Sequence, residues 1–328
     1  MREFLSVCNY SKYRHNILLG ILLLIIAMIA ISLLFLTINN EQPVERTREE
    51  TINDYQRSKQ YLEQDLEIAN SNEKRKVIED KIEYYSYLIN NNKIESDYYN
   101  IGGMTSPIVK KTDGHTGTAF MMYSLKWFRY VIYIAAVLLP LVLFISELGG
   151  SIKNIVGTEL TRDKIYNYFF LVSLVIITLL NIIAYICGLI GGLTCINDEC
   201  LINIDGYKEV SMITIYSWAC LGRYILSILF LGIVTLIGIK TKSMALTSVY
   251  FVLIIAAAIV IGIMFHASVF QELPYNQEDP VLKLPIIGIE SNLIGPSKLS
   301  IILLVYHSIC AIGVYIVGYR YFKKVDIC

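Results

Sequence analysis

Six long apolar stretches alternate with polar segments along the chain, and each is long enough to cross a membrane. A transmembrane helix needs about 20 mostly apolar residues. The six predicted spans are residues 17–36, about 127–146, about 166–190, a part of 210–239, about 245–266 and about 299–319. The pattern therefore predicts an all-α polytopic membrane protein with six transmembrane helices, and an even number of spans puts both termini on one side.

The first stretch, residues 17–36, could instead be a cleaved secretory signal, because basic residues precede it. Its apolar core is longer than the usual 7–15 residues, and no small-x-small cleavage site follows. We therefore interpret residues 1–36 as an N-terminal segment with a retained first span. In the second span, Pro140 predicts a kink, since proline removes a helical hydrogen bond.

A polar insertion, residues 37–126, separates the first two spans. Its apolar residues recur every three or four positions in two stretches, which "ANSNEK" at residues 69–74 interrupts; Lys59 is the one position that breaks the first stretch. Such spacing predicts one apolar stripe on each of two helices. The apolar positions are Ile52, Tyr55, Leu62, Leu66 and Ala69, then Ile78, Ile82, Tyr85 and Ile89.

An antiparallel helical hairpin outside the membrane is the preferred interpretation of this insertion, and a single long helix is the alternative. The hairpin would be a docking surface for a partner or a self-packed, dimerising stalk.

Two further segments read as loops on the same side as the insertion. Residues 100–120 are rich in glycine and threonine and lead into the second span. Residues 267–298 hold four of the seven prolines and an apolar stretch that could lie in the membrane interface. Irregular backbone at membrane depth needs cover from protein or water. Residues 127–328 are predicted as one domain with the second to sixth spans, and we expect its outer loop, residues 267–298, to cap the outer mouth of a pathway.

The charges are few, and they are segregated along the chain. Only 17% of the residues are charged, and 28 basic residues balance 28 acidic ones, so no global field favours nucleic acid. Short cytoplasmic loops carry an excess of Lys and Arg. The six spans place four basic sets on one face: Arg2, Lys12 and Arg14; Lys153, Arg162 and Lys164; Lys240 and Lys242; and Arg320, Lys323 and Lys324. This predicts a plasma-membrane protein with both termini in the cytoplasm. Lys126 and Arg129 oppose the rule, but beside Trp127 they can snorkel at the interface.

Several catalytic motifs are absent from the sequence. It contains no GxxxxGK[ST] phosphate loop, no HExxH and no GxSxG, so it predicts no catalytic residue, no metal site and no nucleotide hydrolysis by this chain alone. The predicted spans contain no acidic residue, which disfavours an ion-coupled transporter.

The segment of residues 147–165, "ELGGSIKNIVGTELTRDKI", resembles the first cytoplasmic loop of type-2 ABC transporter permeases. That family has a glutamate at the end of span two, then Gly-Thr-Ile-Lys, two apolar residues, a proline near a Ser-Arg pair, and Lys-Ile at the start of span three. The residues in matching order are Glu147, Gly150, Ser151, Ile152, Lys153, Ile155, Val156, Thr161, Arg162, Lys164 and Ile165. Glu159 stands where the family usually has proline, which implies a straighter helix end. The six spans and a long charged insertion, as in Firmicute members, agree with the family.

The resemblance implies the permease subunit of an ABC exporter. Its partners would be two copies of a separate ATPase subunit, which would bind ATP and Mg²⁺, a second copy of itself or a homologous permease, and membrane lipid. The exported substrate would be an amphiphilic peptide, drug or lipid-like molecule. The ATPase-coupling residues would be Glu147, Gly150, Ser151, Lys153, Arg162 and Lys164. Otherwise the segment is an ordinary loop whose charges set topology, and the chain could be a non-transporting immunity or sensor protein whose hairpin binds a toxin or partner.

Five polar or reactive residues lie outside this segment, in the spans or beside them. Arg223 is the one charge well inside a span, so it is either functional or snorkels outward. His266 and His307 are expected to make hydrogen bonds in the core. Cys195 and Cys200, in "CINDEC", are either a disulfide or two free thiols.

Overall fold

The computed structural model describes residues 20, 22–30, 48–70, 72–93, 98–100, 108–110, 116–145, 162–193, 199–203, 207–269 and 298–324. The helices in chain order are α1 (residues 22–30), α2 (Arg48–Ile68), α3 (Asn72–Asn90), α4 (Thr116–Pro140), α5 (Arg162–Gly191), α6 (Met212–Thr241), α7 (Met244–Val269) and α8 (Lys298–Lys324). The strands are β1 (Tyr98–Asn100), β2 (Ile108–Lys110), β3 (Glu199–Asn203) and β4 (Tyr207–Ser211).

Four helical segments in the described part of the chain are long and apolar enough to cross a membrane. They are Trp127–Ile145, Lys164–Gly191, Met212–Thr241 and Ile301–Lys324, and they coincide with the second, third, fourth and sixth predicted spans. The described helices fit the predicted all-α fold, and the four apolar segments support a membrane protein with several spans. Helix α7 lies where the fifth span is predicted. Its part Met244–Ala257 is apolar but shorter than the four spanning segments. Of the first predicted span, only residues 20 and 22–30 are described, and they are helical.

Helix α6 is the central helix of the bundle. It packs against α4, α5, α7 and α8, and more than half of its residues are buried. Two of its glycines lie where neighbouring side chains approach closely: Gly232 faces Val314 of α8, and Gly238 faces Ile145. Small residues of this kind allow membrane helices to approach each other closely. The other spanning helices are therefore arranged around α6.

The backbone changes geometry after Pro140, the predicted kink site. Helix α4 ends at Pro140 and continues as a π-helical turn, Leu141–Ile145. Proline cannot donate the hydrogen bond that an α-helix requires, and single π-turns are one way in which a helix accommodates such a break. At its other end α4 begins at Thr116, so the helix starts eleven residues before the predicted span at Trp127.

Helices α2 and α3 pack side by side as an antiparallel pair. The Nη2 of Arg48, at the start of α2, donates a hydrogen bond of 3.0 Å to the carbonyl oxygen of Asn92, just after α3. Tyr55, Tyr84 and Leu88 form the centre of a small core. The predicted stripe on α2 includes Tyr55, but the most buried residues of α3 are Tyr84 and Leu88. The predicted stripe on α3 is therefore displaced by one residue from the true centre of the contact.

A four-stranded antiparallel sheet, with strand order β1-β2-β3-β4, was not predicted. Val109 of β2 pairs with Cys200 of β3, and Cys200 pairs with Val210 of β4. Residues 100–120 are predicted as a loop, and that prediction is wrong at residue 100 in β1, at residues 108–110 in β2 and at residues 116–120 in α4. Strand β4 runs directly into α6, so the sheet joins the segment before α4 to the central helix.

The bundle has two distinct ends. The sheet marks one, which we call the sheet end. The opposite end holds the first residues of α5, the last residues of α6 and the last residues of α8, and we call it the basic end. Its basic residues in the described part of the chain are Arg162, Lys164, Lys240, Lys242, Arg320, Lys323 and Lys324. Three of the four predicted basic sets therefore have members at one end of the molecule.

Candidate functional site

The predicted coupling segment, residues 147–165, connects α4 to α5 at the basic end. Glu147, Gly150, Ser151 and Lys153 lie outside the described residues. Arg162 is the first residue of α5, and Lys164 is exposed in its first turn.

Both ends of this connection are held by aromatic contacts. The ring of Phe144, at the end of α4, lies 6.0 Å from the ring of Tyr166 in the first turns of α5. Both rings also contact Phe322 of α8, at 5.3 and 5.8 Å between centroids. The Tyr166 hydroxyl donates a hydrogen bond of 3.2 Å to the carbonyl oxygen of Tyr315. The described ends of the α4 segment, α5 and α8 therefore form one packed unit, and we call these four residues the aromatic anchor.

Arg223 does not snorkel outward, so that alternative is wrong. Only 4% of the residue is exposed. Its Nε donates a hydrogen bond of 3.2 Å to Oδ1 of Asn181 on α5, and its Nη2 lies 3.4 Å from Sγ of Cys220. Snorkelling would leave the guanidinium exposed, whereas here it contacts Asn181 of α5 and Cys220. The guanidinium is instead enclosed between α5 and α6.

Further polar contacts lie between Arg223 and the sheet end. The hydroxyl of Tyr216 lies 3.2 Å from Oγ of Ser124 and 3.2 Å from the carbonyl oxygen of Ala184. Beside it, the hydroxyl of Tyr185 lies 2.9 Å from Oγ of Ser217. Buried polar groups are stable when they find such partners. The half of the bundle near the sheet is therefore held together by polar contacts as well as by apolar packing.

An elongated groove of about 590 Å³ lies between α5, α6 and α8. Its walls are mainly apolar, and its polar groups already have partners: Tyr315 donates a hydrogen bond of 2.7 Å to Oδ1 of Asn167, and the hydroxyl of Tyr224 lies 2.9 Å from Oγ1 of Thr178. A volume of this size is typical of small-molecule sites, which fall in the range of about 300–1,000 Å³. The groove suits an apolar molecule or tail better than a strongly polar one.

The predicted core hydrogen bond of His307 is confirmed. His307 is fully buried on α8, and its Nδ1 lies 2.7 Å from the carbonyl oxygen of Leu303. The side chain of His266 lies outside the described residues, as does Cys195. Cys200 belongs to β3. Because Cys195 is not described, the Cys195–Cys200 disulfide stays a prediction. The described residues include no group of three His, Cys, Asp or Glu that could hold a metal ion.

The groove and the aromatic anchor were missed by the sequence analysis. A signal for both exists in the spacing of aromatic residues: Tyr166 and Phe170 are four residues apart, as are Tyr315 and Tyr319. Such pairs lie on one face of a helix. In helices that are apolar all round, however, aromatic spacing alone does not tell which face meets which neighbour.

The fold and these features define a helical membrane protein with several spans packed around a central helix. No protein-family model matches the chain, and neither a curated protein nor a solved structure is significantly similar to it.

Proposed function

We propose that this chain is the permease subunit of an ATP-driven ABC exporter in the plasma membrane. In this proposal it has six spans and cytoplasmic termini. It pairs with a second copy of itself or with a homologous permease, and it works with two copies of a separate ATPase subunit that binds ATP and Mg²⁺. The observation that carries the proposal is that the turn after α4 and the first turn of α5 meet at the basic end. The chain between them belongs to residues 147–165, whose sequence resembles a permease coupling loop.

In this proposal, the positions of the basic residues set the orientation of the chain across the membrane. Basic residues at the ends of α5, α6 and α8 lie together, and an excess of Lys and Arg favours the cytoplasmic side. The connection between α4 and α5 then faces the cytoplasm, where a soluble ATPase could reach it. The α2–α3 hairpin and the sheet then lie outside the cell.

The packing at the basic end supports a coupling role. Phe144 and Tyr166 fix the two ends of the connection to each other and to Phe322 on α8. Protein interiors are close-packed and transmit displacement. A push on the connection would therefore move α4, α5 and α8 together, rather than deform one loop.

The groove supports an amphiphilic substrate. It lies between α5 and α8, which the aromatic anchor links to the connection, and α6, around which they would move. An apolar tail in the groove would lose contacts when these helices separate. A transporter needs a ligand whose affinity differs between conformations, and such a site would supply that difference.

Charge reversal at Arg162 tests the coupling role. Like charges brought together at an interface cost several kcal/mol, and about 1.4 kcal/mol already corresponds to a tenfold loss of affinity. We expect Arg162→Glu to insert and fold normally. When the complex is purified in detergent, the amount of ATPase subunit bound to this variant should fall about tenfold. Export activity should fall in parallel.

Lys324→Glu is the matched control, because it makes the same charge change at the same end of the bundle but outside the connection. It should retain the ATPase subunit. If Arg162→Glu also retains the partner and full activity, residues 147–165 do not couple to an ATPase.

A second candidate function rests on the α2–α3 hairpin. The hairpin has its own core around Tyr55, Tyr84 and Leu88, and most of its remaining surface is polar and exposed. A non-transporting immunity or sensor protein could use such a hairpin to bind a toxin or partner. This function requires no ATPase subunit, so protection that persists in cells lacking every candidate ATPase would favour it over export.

A further inference from the structure

Arg223 is a buried cation in the part of α6 that spans the membrane. Only 4% of the residue is exposed, and a guanidinium stays protonated under all physiological conditions. Moving such a charge out of water costs free energy, which hydrogen bonds and a counter-charge can offset. A residue of this kind is therefore retained where the charge has a use.

The contacts of Arg223 do not neutralise it. The side-chain oxygen of Asn181 and the thiol of Cys220 are both neutral. Its third nitrogen, Nη1, is buried and has no hydrogen-bond partner among the described residues. The guanidinium therefore has unused donor capacity at the side that carries Nη1 and Nη2.

The spanning helices cannot supply the missing negative charge. The sequences of α4, α5, α6, α7 and α8 contain one acidic residue, Asp163, and it lies in the first turn of α5 at the basic end. Arg223 lies eleven residues after Met212, about 16 Å from the sheet end of α6 at about 1.5 Å per residue. Asp163 lies about 27 Å along α5 from Asn181, the residue that contacts Arg223, at about 1.5 Å per residue. Its carboxylate therefore cannot reach the guanidinium.

The geometry points to Arg223 as the binding site for the anionic group, a phosphate or a carboxylate, of an amphiphilic substrate. The bonds from Nε to Asn181 and from Nη2 to Cys220 orient the guanidinium plane, and they leave both hydrogens of Nη1 and the second hydrogen of Nη2 for the anion. Two parallel N–H donors of this kind match the oxygens of a phosphate or carboxylate. In the conformation described here the guanidinium is enclosed, so the anion would bind when α5 and α6 separate near Asn181.

An apolar tail is expected on the same molecule, because the partner of Arg223 on α5 lies one turn from the groove. Tyr224, which lines the groove, contacts Thr178, and Thr178 is three residues before Asn181 on α5. This identification of the substrate class rests on the proposed export function. The anion site itself does not, since it requires only this chain.

Thermal unfolding of the full chain, purified in a neutral detergent, tests the inference without an ATPase subunit. We use dodecyl phosphate as the anionic probe, dodecanol as the neutral probe of equal chain length, and inorganic phosphate as the anion without a tail. A ligand that binds only the folded state raises the melting temperature. Dodecyl phosphate at saturation should raise it by about 5 °C, and the other two probes should not. An equal shift with inorganic phosphate would overturn the amphiphilic assignment, while no shift with either phosphate would overturn the anion site.

Two variants locate the effect at Arg223. Arg223→Gln should lose the shift with dodecyl phosphate, whereas Arg129→Gln, which removes an arginine near the start of another span, should keep it. Asn181→Asp places a carboxylate where the amide oxygen now accepts the bond from Nε. It should raise the melting temperature without probe and abolish the shift with probe, because the guanidinium then has an internal partner.

Asn181→Asp also keeps the test decisive if Arg223→Gln does not fold. A shift that persists in Asn181→Asp or in Arg223→Gln would overturn the inference. Either result leaves the proposed export function standing, because that function is tested separately by retention of the ATPase subunit.

Discussion

At the residue scale, Tyr216 occupies the space that a side chain at position 188 would need. A Cβ on Gly188 would collide with Oη and Cζ of Tyr216 and lie 2.9 Å from Oγ of Ser124. The ring cannot easily turn away, because its hydroxyl is within hydrogen-bonding distance of Ser124 and of the carbonyl of Ala184. Glycine is therefore required for α5 to pack against α6 at this level.

Gly188→Ala is expected to destabilise the protein by about 1–3 kcal/mol, the usual cost of overpacking a core. The measurement is the melting temperature of the chain purified in detergent. Gly313→Ala is the control, because a Cβ on Gly313 would meet no atom within 4 Å. That change should be neutral or stabilise by up to about 1 kcal/mol, since alanine favours a helix over glycine. Equal losses in both variants would contradict this account of Gly188.

Arg223 shows how far a single residue can be read from sequence. Its position inside an apolar span marks it as unusual, because a charged side chain is costly within a membrane. The direction in which its side chain points could not be predicted from the sequence. Helix α6 is apolar on all sides, so no polar face indicates where the guanidinium points, and only the packing of Asn181 from α5 determines it.

At the scale of elements, the hairpin of α2 and α3 was predictable because its signal is local. Apolar residues at helical spacing marked both arms, and Tyr55 is buried as predicted. The arm from Ile78 to Ile89 contains so many apolar and aromatic residues that several stripes are possible. Tyr84 and Leu88 became the centre of the contact because they face α2, a choice that depends on the partner helix.

Leu88→Ala is expected to loosen the hairpin. Leu88 is fully buried, and removing such a leucine side chain costs about 2–5 kcal/mol. Hydrogen exchange of the purified chain should become faster throughout α2 and α3 and stay unchanged in α6. Ile68→Ala is the control, since Ile68 is 73% exposed at the end of α2. Faster exchange in both variants, or in neither, would show that Leu88 does not hold the pair together.

The sheet could not be read from the sequence. Strands β1 and β2 have three residues each, too few for an alternating pattern to be recognised. They are stabilised by pairing with β3 and β4, and Val109 is 91 positions away from its partner Cys200. A pairing of this range depends on the helices that hold both segments at the same end.

At the scale of the whole molecule, span positions were the most predictable feature, because length and hydropathy decide whether a helix can cross a membrane. Four predicted spans coincide with helices of the described chain to within a few residues. The central position of α6 was not predictable, since all the spans are similarly apolar. The close approaches at Gly232 and Gly238 distinguish α6, and they become apparent only when the facing residues are known.

The sheet end and the basic end should face opposite sides of the membrane. Asn92 is exposed just after the hairpin and six residues before β1, whereas Lys240 is exposed at the last turn of α6. If Lys and Arg select the cytoplasmic side, Lys240 lies inside the cell and Asn92 outside. Single cysteines at these two positions, in a chain without its native cysteines, should therefore react differently with a membrane-impermeant thiol reagent added to intact cells. Asn92→Cys should be labelled, and Lys240→Cys should be labelled only after the membrane is opened.

Lys324→Cys, at the end of α8, is the control and should behave like Lys240→Cys. Labelling of Asn92→Cys and Lys240→Cys from the same side would contradict the separation of the two ends by the bilayer, and reversed labelling would place residues 147–165 outside the cell, beyond the reach of any ATPase.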